Sequence, residues 1–271
     1  MMPMNTRRCV SALAIAGTAA ALVLVGTGAA QASSVHYVAF GDSYASGVGA
    51  GSYTSAGGSC DQSTNAYPVL WADANAPASF TNATCSGSTT SSIESTYLSD
   101  LSSSTTLVSL TVGGDDVGFT STLEACILEG TSACESAVSS AESEAQTVLP
   151  GKLDTLYGDI KADAPNAHVV VIGYPEFYDL SKSGSCIGLS GASRTAINGG
   201  ADVLDGVIQT AAAKYGFTYV EIRPGFVGHQ ICDSDSYLNS LDFFDLTSSY
   251  HPTAEGQSDA YYPAFEAGVA E

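Results

Sequence analysis

Basic residues are scarce: eight lysines and arginines stand against 28 acids in 271 residues. Two of the eight, Arg7 and Arg8, precede an unbroken small and apolar run closing on Ala30, Gln31 and Ala32. That is the charge, apolar core and small-residue cleavage pattern of a secretory signal peptide over residues 1–32, so an exported, extracellular protein is expected. Beyond it, six bases remain against the 28 acids, a net charge of −22. A surface this acidic repels phosphate backbones and anionic headgroups, which argues against nucleic acid as a partner. No second long apolar run follows, so no membrane anchor is expected in the mature chain. Also missing is any C-x-x-C pair, which argues against zinc and redox chemistry, and neither metal nor cofactor is expected. A dinucleotide loop is lacking as well: Gly47, Gly49 and Gly51 begin several residues past the first strand, and the turn itself carries Asp42.

What is present reads as one domain over residues 33–271. Cys9 leaves with the leader, and Cys60, Cys85, Cys126, Cys134, Cys186 and Cys232 form an even set suited to three disulfides, with all fifteen pairings open. Apolar runs at 35–40, 107–112, 167–174 and 217–222 predict strands. Apolar residues at three and four spacing predict helices over 140–163, 193–215 and 254–268. Strands apolar at nearly every position suit a parallel sheet covered on both faces, hence an α/β fold with its site at the carboxyl ends of the strands. The Ser- and Thr-rich stretch 86–106 reads as a loop-rich insertion.

The first strand stops at Gly41, Asp42 and Ser43, at the edge where such a fold exposes its site. Ser43 there is either a helix cap or a nucleophile, and as a nucleophile it needs a base. His36 and His168 open strands, remote from that edge, and His229 in "GHQIC" is ambiguous. His251, held before Pro252, is the best-placed base. The aromatics Tyr44, Tyr53, Tyr67, Tyr174, Phe177 and Tyr178 read as core, with an acyl-binding cleft as the alternative. The acidic stretch from Cys232 to Asp242 lacks the central glycine of a calcium loop and reads as surface.

Four blocks, in order, carry a resemblance: "FGDSYASG" with Ser43, "CSGSTT" with Gly87, "LTVGGDDVGF" with Asp115, and "SSYHPTAEG" with His251. The chain resembles the SGNH hydrolase superfamily, the GDSL esterases and lipases. Its "GYPEFY", "INGGADVLD" and "FVGHQIC" segments are similar to the secreted bacterial branch. The resemblance implies a three-layer α/β/α sandwich around a central parallel sheet, and disulfides 60–85, 126–134 and 186–232. It also implies hydrolysis of lipid or simple acyl esters through an acyl-enzyme on Ser43, with His251 as base. The oxyanion would be held by Ser43, Gly87 and the residue at position 115. A monomer is expected.

Two positions depart from the pattern. The family's histidine-orienting Asp is Ser248 here, whose backbone carbonyl is expected to take over, with Asp245 in reserve. The oxyanion asparagine is Asp115, and an ionised carboxylate has no proton to donate. Three outcomes follow: a weak enzyme using two backbone donors, an enzyme shifted to acid by a protonated Asp115, or a binding protein derived from this fold. Asp116 matches a family aspartate that is usually structural.

Overall fold

In a computed structural model, Met1 and residues 34–182 and 188–271 are described. The leader after Met1, and Cys186, lie outside them. Among the described residues there are five strands: β1 (His36–Gly41), β2 (Ser79–Thr84), β3 (Leu107–Thr111), β4 (His168–Ile172) and β5 (Thr218–Val220). All neighbouring strands pair in parallel, in the order β2-β1-β3-β4-β5. The helices are α1 (Ser43–Ser46), α2 (Tyr67–Asn75), α3 (Thr90–Ser92), α4 (Phe119–Leu128), α5 (Thr131–Thr147), α6 (Leu149–Asp163), α7 (Gly191–Tyr215) and α8 (Tyr262–Val269).

The helices form the outer two layers of an α/β/α sandwich. On one face α2 packs with α8, and on the other α6 packs with α3, α5 and α7. Period-two alternation in β1 sends Tyr37 toward Trp71 of α2 and Phe265 of α8, with ring centroids 5.2 and 5.6 Å away. The α7 stripe Ile197, Ala201, Leu204, Ile208 and Ala212, spaced by three and four, is buried. Ser190 caps α7 by accepting from the N–H of Ser193, and Gly216 ends it in the left-handed conformation; such a cap contributes about 1 kcal/mol. One helix expected over 140–163 is instead α5 and α6, broken at Val148. Pro150 lacks the N–H to bond back one turn and suits a helix start. The edge strand β2 was not expected, because "SFTNAT" is polar and half exposed.

Strand order reverses between β1 and β3, and in such sheets the crevice at that switch point is where ligands bind. Residues following β1, β2 and β3 converge there.

Candidate active site

Gly41 ends β1 at φ +144°, and a Cβ there would lie 2.6 Å from both Ala45 Cβ and Thr111 O. Only glycine admits this turn, and it throws Ser43 onto the first position of α1 at the carboxyl edge. Asp42, rather than Ser43, is the cap of that helix: its Oδ1 accepts from the N–H of Tyr44 at 2.9 Å. The Ser43 hydroxyl is thereby left for other partners. Tyr174 donates its hydroxyl hydrogen to the other Asp42 oxygen and accepts from the N–H of Gly114 at 3.1 Å. The β1 turn is thus tied to the loop after β3 that carries Asp115. Burial, then the nearby Asp115, pushes the Asp42 carboxyl well above its ordinary range.

Ser43 Oγ lies 2.7 Å from His251 Nε2, across 208 residues of chain. The other ring nitrogen, Nδ1, lies 3.1 Å from the carbonyl oxygen of Ser249. A carbonyl only accepts, so Nδ1 carries the proton and Nε2 is left as acceptor for the serine hydroxyl. Burial pulls the imidazole down to about 4, against the opposing pull of hydrogen bonds to the carbonyls of Ser249 and Thr247.

The expected role of the Ser248 carbonyl is corrected here. That oxygen accepts from the backbone N–H of His251 itself, at 3.2 Å, closing a turn. Tyr250 sits at φ +66°, and the backbone there presents the Ser249 carbonyl to the ring instead. Asp245 does not bond the imidazole; its carboxylate accepts from the N–H of Ser248 at 3.1 Å and the hydroxyl of Ser248 at 2.7 Å.

Ser43, Gly87, Asp115 and His251 line one groove of about 340 Å³. The N–H groups of Ser43 and Gly87 have no hydrogen-bond acceptor among the described residues. Nor does the half-buried carboxyl of Asp115 have a hydrogen-bond partner among them; burial first, and then Asp116, pushes it up to about 6. Asp116 itself turns away, accepting from the N–H and hydroxyl of Thr90 at 2.8 Å each, with Lys152 3.4 Å distant.

The apolar lining of the groove is Phe119, Leu123, Ile127 and Leu128 of α4, together with Phe243, Leu246 and Tyr250 from the segment before His251. The aromatics weighed as a cleft behave otherwise: Tyr44, Tyr67, Tyr174, Phe177 and Tyr178 are buried core, while Tyr53, read as core or cleft, is exposed and does not line this groove, its hydroxyl accepting from the N–H of Gly49 at 2.9 Å. Three histidines are accounted for elsewhere. His36 pairs with the hydroxyl of Ser79 at 2.8 Å, His168 with that of Thr218 at 3.0 Å, and His229 stacks on Tyr237. Cys60–Cys85 and Cys126–Cys134 are bonded, while the pairing expected through Cys186 lies outside the described residues.

Several positioning residues escaped sequence reading. Asn239 donates its amide to the carbonyls of Gly49 at 3.1 Å and His251 at 3.0 Å. Tyr44 donates its hydroxyl to the carbonyl of Tyr250 at 2.9 Å, and Gln257 donates to the carbonyl of Tyr44 at 2.9 Å. These ties hold the serine turn against the histidine loop. Each runs through a main-chain carbonyl, which leaves no mark in residue type.

The model of the GDSL-like lipase/acylhydrolase family matches residues 39–258. Lipase 1 of Streptomyces coelicolor is 47% identical over 264 residues, covering 96% of this chain and 98% of that one. Among solved structures, phospholipase A1 from Streptomyces albidoflavus superposes with a TM-score of 0.83 at 48% identity, covering 86% of this chain and 98% of that chain. The extracellular lipase of Streptomyces rimosus gives 0.83 at 45% identity, covering 86% and 99%. With its parallel sheet, its serine turn and these relatives, the chain belongs to the GDSL-like lipase/acylhydrolase family.

Proposed function

We propose that this carboxylic ester hydrolase acts outside the cell on lipid esters, through an acyl-enzyme formed on Ser43 and assisted by His251. The observation that carries the reading is the 2.7 Å contact between Ser43 Oγ and a histidine nitrogen left unprotonated by the carbonyl on its far side. Ser43 Oγ attacks the ester carbonyl as its proton passes to Nε2; the imidazolium then protonates the departing alkoxide. Water repeats the sequence on the acyl-enzyme and frees the acid. The backbone N–H groups of Ser43 and Gly87 are the donors for the oxyanion, with a protonated Asp115 as the third.

A carbonyl orients the ring but stabilises imidazolium less than a carboxylate would, so the dyad works with a weaker electrostatic partner than a full triad. The apolar walls of the groove suit an acyl chain. Relatives named as lipases and a phospholipase A1 support lipid substrates, and the leader-like residues 1–32 support secretion. Hydrolysis of p-nitrophenyl esters of increasing chain length by the purified protein is the test. Ser43→Ala should lower turnover by at least about a thousandfold; equal rates for the two proteins would sink the reading and leave a binding protein on a hydrolase fold.

A further inference from the structure

Single exposed apolar side chains are ordinary on protein surfaces, but here they converge on one opening. Leu128 is 74% exposed, Phe243 69%, Leu246 58% and Phe244 fully exposed. Leu128, at the end of α4, lines the groove together with Phe243 and Leu246 of a separate loop, and Phe244 follows Phe243 in that loop. Neither edge is frayed chain. The Cys126–Cys134 disulfide ties the end of α4 to α5. The loop is pinned by its own polar groups: the N–H of Asp242 donates to the hydroxyl of Ser249 and the N–H of Phe244 to the Asp242 carboxylate, at 2.9 and 2.8 Å.

We propose that these two apolar lips seat the protein on a zwitterionic phospholipid surface, with the groove opening onto it. The proposal rests on the lipid-ester reading above. A protein partner covering the same side chains would close the groove to substrate, whereas a lipid surface delivers substrate into it. The choice of headgroup follows from charge. Asp242, Asp245, Glu124 and Glu129 are exposed around the lips, and no lysine or arginine occurs within 119–129 or 239–251. Insertion of aromatic and aliphatic side chains into the headgroup boundary must therefore carry the binding, against repulsion from any anionic surface.

The test uses the Ser43→Ala protein, which leaves vesicles intact, sedimented with phosphatidylcholine or phosphatidylglycerol vesicles. Phosphatidylcholine should bind it, phosphatidylglycerol should bind it more weakly, and raised salt should leave the phosphatidylcholine interaction in place. Phe244→Ser in that background should lower partitioning about tenfold, and Leu128→Ser, at the end of α4, should lower it as well. Failure to bind phosphatidylcholine, tighter binding to phosphatidylglycerol, or undiminished binding by both variants would overturn the proposal. Hydrolysis of a water-soluble nitrophenyl ester by the wild type needs no surface, so loss of the catalytic reading would be seen separately.

Discussion

Asp115 and His251 line the same groove, and under the proposed mechanism each must hold a particular protonation state. The base must be neutral to accept a proton, and burial sets that requirement near pH 4. Asp115 must be protonated to donate, and its carboxyl, raised by burial and by Asp116, loses its proton near pH 6. On this reasoning kcat/KM rises as pH climbs through about 4 and falls again through about 6, a bell on the acid side of neutrality. Asp115→Asn keeps the shape and restores two permanent donors. It should abolish the falling limb and raise kcat/KM at pH 8 by about 10² to 10³. Superimposable pH profiles for the two proteins would show that Asp115 takes no part.

At the level of elements, the turn from β1 into α1 is the least forgiving segment. Gly41→Ala would drive a methyl into the Thr111 carbonyl oxygen, 2.6 Å away, in a backbone conformation that side chains resist. Overpacking and φ strain together should cost about 2–4 kcal/mol, read as a lower urea midpoint in equilibrium unfolding; an unchanged midpoint would mean that the strands separate to accommodate it. This turn was legible in the sequence, because a strand of apolar residues halted by glycine, acid and serine leaves few alternatives. Pro252 likewise marked His251. Beyond such points residue type says little. Strand β2 is polar because it lies at an edge, and α5 parts from α6 over a single residue at Val148. The carbonyl that orients His251 belongs to Ser249 rather than Ser248 because of the left-handed backbone at Tyr250, and only coordinates reveal that.

For the whole molecule, acidity and burial together bias stability toward low pH. Burial raises the carboxyls of Asp42, Asp115 and Asp205, the last to about 7, from ordinary values near 4. Between those limits the folded chain holds protons that the unfolded chain has released, so unfolding free energy falls as pH rises from about 4 to 7. His251 works the other way, since its lowered value makes the unfolded chain the better proton binder between about 4 and 6.5. Three carboxyls outweigh one imidazole, and mutual repulsion among the 28 acids adds to them. Tm should be higher at pH 5 than at pH 8, and added sodium chloride should narrow the gap by screening at pH 8. A Tm that climbs with pH would contradict this balance.

The pairing of residues 43 and 251 also has a consequence in time. A chain emerging in sequence order exposes its serine early, yet the histidine beside that hydroxyl arrives only 208 residues later and must then dock against it. Under the proposed mechanism, a molecule clipped before His251 is chemically mute however well its serine turn is formed.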